Sequence, residues 1–154
     1  MPHIHELIDF VITAIIVSPD KNRVLLANHP RYQMWIPIGG HIELEDDADV
    51  TLSKEIAEET GLSFHPLGEK PNYTSKGVKP LITPDYVDIH EANPPHKHHA
   101  FVYFVIATSD DFQKSDEHTA LKWFTTQELR EPQYNISDHT FFYAQKALEK
   151  ARLM

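Results

Sequence analysis

The sequence predicts one α+β domain, and three observations carry that expectation. Runs of β-branched and apolar residues recur between Phe10 and Ile38 and again around residue 100. Two segments with clear end signals, Ala48 to Thr60 and the stretch after Ser137, follow the helical period instead. The chain has 154 residues, which suits a single core, and no internal repeat or low-complexity linker divides it, so one domain spanning 1–154 is expected.

Taken in order, Phe10 to Val17 (FVITAIIV) reads as a strand, and the turn-forming Ser18-Pro19-Asp20-Lys21-Asn22 joins it to a second strand at RVLLA as a hairpin. Trp35 to Ile38 is a third apolar piece, closed by Gly39-Gly40, which is expected to act as a hinge and to permit close backbone approach. Ala48 to Thr60 is a helix. Asp47 can cap it, Asp49 suits the positive end of its dipole, and Gly61 sits where a left-handed residue ends a helix. Advancing about 100° per residue gathers Ala48, Leu52, Ile56 and Thr60 on one flank and Glu55, Glu58 and Glu59 on the adjacent one. Residues 66–97 hold six of the 11 prolines and predict a long, stiffened excursion of the kind that shapes ligand sites, with a strand at Tyr86 to His90. His99 to Thr108 is the strongest strand signal, and its continuous apolarity predicts a central position. Leu121 to Phe124 gives a further short strand, Thr125 to Glu128 has capping-box spacing for a short helix, and Ser137 caps a last helix with Phe141, Ala144, Leu148 and Ala151 in phase.

Composition narrows the function. Lys plus Arg is 14 and Asp plus Glu is 23, a formal charge of −9 with the 11 histidines neutral, which opposes broad attraction to nucleic acid or anionic membranes. Without Cys there is no disulfide, thiolate zinc site or cysteine nucleophile. The acidic, histidine-bearing start Met1 to Phe10 is not a signal peptide and no apolar run is long enough to span a membrane, so a soluble, cytoplasmic protein is expected.

Residues 43–59 contain eight carboxylates: Glu43, Glu45, Asp46, Asp47, Asp49, Glu55, Glu58 and Glu59. Such a density self-repels unless it is solvated or neutralised, and like charges at i, i+3 and i+4 on one helix flank cost stability. A bound hard cation offsets that cost, and oxygen-only ligands favour Mg²⁺ or Mn²⁺. A calcium loop fails as the explanation, because Leu52 stands where an EF-hand turn needs glycine.

The stretch GHIELEDDADVTLSKEIAEETGL, Gly40 to Leu62, resembles the Nudix box: Gly, five residues, Glu, seven residues, Arg-Glu-apolar-x-Glu-Glu-x-Gly-apolar. Gly40, Glu55, Ile56, Glu58, Glu59, Gly61 and Leu62 agree; Asp46 replaces the box Glu and Lys54 its Arg. Trp35 to Gly40 and Leu121 to Phe124 also look like family landmarks. The resemblance implies an α/β/α sandwich with a mixed, curved sheet between helices, and divalent-metal-dependent hydrolysis, by water attack on phosphorus, of a nucleoside diphosphate linked to another moiety. Carried over by position, Glu55, Glu58 and Glu59 are the catalytic and metal-binding carboxylates, the Gly40 carbonyl is a further ligand, and Mg²⁺ or Mn²⁺ is the cofactor. Lys54 and His41 are expected to face substrate, and Glu117 is an additional candidate base outside the box. Lys54 lacks the planar fork that holds carboxylates bidentately, which predicts looser glutamates and reduced turnover.

The partner expected is a small nucleotide-like molecule, not nucleic acid or membrane, and a homodimer is compatible with the family. The alternative reading is a non-catalytic Nudix-fold module that binds a nucleotide or an ADP-ribose-like ligand, supported by Asp46 and Lys54 and opposed by the intact glutamate set. Cap or 5′-end processing of RNA is opposed by the negative charge. His96, His98 and His99 are expected to serve structural or substrate-facing roles in preference to a transition-metal site, since strand alternation keeps His98 and His99 from facing one ion. Tyr32, Tyr73 and Tyr86 are read as packing residues before ligand stackers.

Overall fold

A computed structural model describes residues 7–31, 33–113 and 120–154. β1 (Ile8–Val17) sends Val11, Ile15 and Val17 to one face and Ile12, Ala14 and Ile16 to the other, all of them buried, so both faces of the strand are covered. It pairs in parallel with β7 (Lys97–Ala107) from Ile8–Lys97 to Val17–Ile106. The apolar run beginning at His99 is therefore central, with β5 (Phe64–Pro66) and β6 (Tyr86–Glu91) antiparallel along its other edge. β5 was not foreseen, because three residues ending in proline carry no alternation signal.

The predicted hairpin forms. β2 (Arg23–His29) meets β1 at Ile16–Leu25 and Val17–Val24, across a turn in which Lys21 takes a φ of 65°. Beyond these pairs the two strands part. β2 continues beside β3 (Met34–Ile36), and β1 beside β4 (Ile38–His41), so residues 34–41 change partner at Pro37. Proline has no N–H to lose from a ladder, which suits the switch point. The hinge expected at Gly39-Gly40 is thus corrected: both glycines lie inside β4, opposite Thr13 and Ile12. Close approach, not bending, requires them, since a Cβ on Gly39 would stand 2.5 Å from the Ile12 carbonyl oxygen. β8 (Ala120–Thr125) completes the sheet on the far edge of β2.

α1 (Ala48–Thr60) packs Leu52 and Ile56 onto the Ile12, Ala14 and Ile16 face. α3 (Asp138–Arg152) packs Ala144, Ala147, Leu148 and Ala151 onto the Val11, Ile15 and Val17 face. The result is the α/β/α sandwich expected, with the single-turn α2 (Thr126–Leu129) after β8. The caps are those read from sequence: Asp47 accepts from the Val50 amide at 2.9 Å, Gly61 takes φ 69°, Thr125 and Glu128 form a capping box, and Ser137 accepts from Thr140.

Between β5 and β6 the chain makes no helix and only a Ser75–Val78 bridge, as its prolines predict. This excursion is tied to the first turn of α1. The Ile82 amide donates to the Asp49 carboxylate at 3.2 Å, and Lys79 reaches Asp47 at 2.7 Å. Among the described residues, no helix is long and apolar enough to cross a membrane.

Candidate functional site

α1 carries the three glutamates on the flank beside its packing face, and the sheet grades their exposure. Glu58 is exposed, Glu55 is half-buried, and Glu59 is buried at 3% exposure. The Glu55 carboxylate rests directly on the α-carbon of Gly40, where a Cβ would collide with it. That contact explains why glycine opens the motif: a bare backbone lets the carboxylate and the strand meet, where any side chain would hold them apart. Outward of it, His41, Asp46, Thr51, Lys54, Glu55 and Glu58 enclose a small polar recess of about 80 Å³. Thr51 Oγ1 is buried there without a hydrogen-bond partner among the described residues.

The two departures from the box pattern meet each other. Lys54 Nζ lies 2.9 Å from Asp46 Oδ2, and this hydrogen bond, with the Asp46 charge behind it, raises the lysine pKa. Asp47 is held below the usual carboxylate range by the Lys79 hydrogen bond and the Val50 amide.

Inward of Gly40 the parting of β1 and β2 leaves space. A cavity of about 360 Å³ is lined by Gly39, Gly40, His41, Glu59, His90 and His98, among others. Beside it lies one of about 510 Å³ whose lining includes Asp88, His90, His98, His139 and Tyr143. Register explains the concentration of histidines. His98 is the Cα partner of both Asp9 and His90, and His41 is the partner of Val11, two residues beyond Asp9 on the same face. His99 points the other way, against Phe10 and Phe101, each at 5.3 Å, as strand alternation requires.

The inner cavity also shows a group that sequence reasoning did not single out. Asp88 takes hydrogen bonds from Tyr143 Oη and, at 2.8 Å, from His90 Nδ1. Burial acts to raise its carboxyl pKa, but these bonds prevail and hold it low, while burial and the Asp88 contact push the Tyr143 hydroxyl up. Burial, reinforced by neighbouring His90, lowers the His139 pKa. Only the β6–β7 register could have found His90, and nothing local marks His139. Tyr86 packs against Phe104, Phe142 and Tyr143, and Tyr73 is half-exposed. Glu117 and Tyr32 lie outside the described residues.

The NUDIX domain model matches residues 10–145, most of the chain. The chain belongs to the Nudix hydrolase family. Its structure resembles that of a NUDIX-family hydrolase from Clostridium perfringens, with a TM-score of 0.78 and 28% identity over 92% of this chain and 96% of that one. A MutT NUDIX hydrolase from Burkholderia pseudomallei shares the fold at a TM-score of 0.62, 24% identity, and 94% and 98% coverage. In sequence, the m7GpppN-mRNA hydrolase NUDT17 of Xenopus laevis is 25% identical over 109 residues, 68% of this chain, which spans only 34% of that relative. Nudix enzymes generally use divalent metals, and the Nudix box here spans the end of β4, the loop after it and the whole of α1.

Proposed function

We propose that the protein hydrolyses a pyrophosphate bond in a small nucleoside diphosphate linked to another moiety, with Mg²⁺ or Mn²⁺ as cofactor. The observation that carries this reading is the Glu55 carboxylate lodged on the Cβ-less Gly40, at the edge of a cavity that buried Glu59 also lines. The oxygen-only donors of Glu55, Glu58, Glu59 and the Gly40 carbonyl fit a hard divalent cation, and the missing Cβ of Gly40 brings the Glu55 carboxylate against the strand that carries that carbonyl. Once bound, such cations neutralise diphosphate charge and lower the pKa of a coordinated water.

The chain's own residues supply the rest. Glu55, Glu58 and Glu59 would hold the cations, and one of the three would accept the proton of the attacking water. Lys54 acts through Asp46, fixing the loop that leads into α1. His41 stands at the mouth of both the outer recess and the inner cavity, between the glutamates and the space proposed for substrate. The moiety beyond the diphosphate enters the inner cavity toward His90 and His139, where apolar lining from Ile36 and Pro37 shields it from water.

The test is hydrolysis of nucleoside triphosphates, ADP-ribose, sugar nucleotides, dinucleoside polyphosphates and a capped dinucleotide, with and without Mg²⁺ or Mn²⁺, beside Glu59→Gln. Metal-dependent turnover of one substrate, lost in the variant, is the expected result. Silence across the panel together with metal-independent binding of one ligand by calorimetry would instead establish a binding module.

A further inference from the structure

We propose that Asp9, His41, His96 and His98 form a second metal site, selective for a zinc-class divalent transition ion and separate from the box glutamates. Asp9 on β1, His41 at the end of β4 and His98 on β7 converge there with His96, which stands just before β7. His41 Nε2 and His96 Nε2 lie 3.4 and 3.2 Å from the same oxygen, Asp9 Oδ2. Donor atoms of His41, His96 and His98 all fall within 4.8 Å of one another. The His98 ring stands edge-on to His41 and to His96, at 5.1 and 5.3 Å, each with an interplanar angle of 89°.

These spacings are those a four-coordinate ion needs. Bonds of about 2.0 to 2.1 Å in a tetrahedron place neighbouring donors about 3.3 Å apart, and both Asp9 separations already match. The histidine donors, all within 4.8 Å of one another, have to draw closer by at most about 1.5 Å to reach that spacing. Register fixes most of the framework: Asp9 and His98 are opposed across β1 and β7, and His41 ends β4 opposite Val11, while His96 stands just before β7 and reaches Asp9. A carboxylate as buried as Asp9, 7% exposed at its side chain, is retained only with strong partners.

Ligand chemistry separates the two sites. Three imidazoles and one carboxylate suit zinc and its first-row neighbours, whereas Mg²⁺ takes oxygen ligands and keeps its waters. The transition ion would therefore take the histidine cluster while Mg²⁺ takes the glutamates. With four protein donors the site is closed and acts as a clamp, pinning the end of β4, immediately after Gly40, to β1 and the start of β7.

The experiment uses the full chain without an affinity tag. Zinc is titrated against a chromophoric chelator with Mg²⁺ in excess, thermal unfolding is followed with and without zinc, and the zinc-edge X-ray absorption spectrum is recorded for the one-to-one complex. One equivalent bound, a raised Tm, and a spectrum of mainly imidazole donors are expected. His98→Gln and Asp9→Asn should each weaken binding at least about tenfold, with folding checked by circular dichroism, whereas Glu55→Gln combined with Glu59→Gln should leave it unchanged. Absent or substoichiometric binding, an oxygen-dominated spectrum in the wild-type protein, or zinc lost with the glutamates and kept in His98→Gln would overturn the assignment. None of these readouts depends on hydrolysis, so the inference stands or falls apart from the proposed activity.

Discussion

At the scale of single residues, Gly39 and Gly40 are adjacent and chemically identical, yet the structure gives them different duties. A Cβ at Gly39 would strike the Ile12 carbonyl oxygen, part of a rigid backbone, whereas at Gly40 it would strike the end of a flexible glutamate. Gly39→Ala should therefore destabilise the fold by about 1 to 3 kcal/mol, as overpacking does. Gly40→Ala should leave Tm nearly unchanged and instead lower kcat/KM by about 10²-fold, because it displaces the Glu55 carboxylate, proposed to hold the cation, and an ångström of displacement costs alignment. Thermal melts and steady-state kinetics on the two variants check this, and equal effects on Tm would refute it. Lys54 and Asp46 invite a second test. Each departs from the family motif, and each was legible as a departure, but only coordinates reveal that the shorter acid and the cation meet each other. Lys54 is thus matched to Asp46, and its contact is with that carboxylate. Lys54→Arg and Asp46→Glu should each lower kcat, and the double variant should recover most of the loss; strict additivity of the two effects would show that the positions act independently.

At the scale of elements, legibility followed the locality of the signal. The caps of α1 and α3 are written within four residues of each helix start, so Asp47 and Ser137 could be named in advance. β5 could not, because its three residues are held by β7 some forty positions later. The same non-locality hid the contact between β6 and α3. His139, near the start of α3, stacks on His90 of β6 at 5.7 Å, with Asp88 and Tyr143 beside it and Asp138 next to it in the chain. Burial, with His90 assisting and Asp88 and Asp138 opposing, depresses the His139 pKa below 6.5. The unfolded chain then binds more protons than the folded one as pH falls below about 6.5, so stability is full above that pH and declines below it. Tm should drop more steeply from about pH 7 to 5.5 in the wild-type protein than in His139→Gln. Parallel slopes would show that this contact does not couple protonation to folding.

For the whole molecule, the site depends on how one chain divides a sheet: β1 and β2 separate after two residue pairs, and residues 34–41 bridge the gap by changing partner at Pro37. The sequence made the box, its helix and most strands readable, yet the cavities arise from that separation and from cross-strand register, which no local pattern encodes. Global charge sets a further condition. A chain of net charge −9 repels the polyanion it is proposed to cleave, and at about 0.01 M salt the Debye length of about 30 Å lets that repulsion act across the whole domain. At about 0.15 M the length falls to about 8 Å, leaving mainly the local field of the glutamates and the cations they are proposed to hold. With free Mg²⁺ held saturating, kcat/KM should therefore rise a few-fold or stay level as NaCl increases over that range, with the change in KM more than in kcat. A basic nucleic-acid-processing surface gives the opposite slope, since salt weakens its phosphate contacts. A steep fall in kcat/KM would accordingly indicate that substrate is gathered by a cationic surface, and would overturn the small-molecule reading in favour of a longer polyanion.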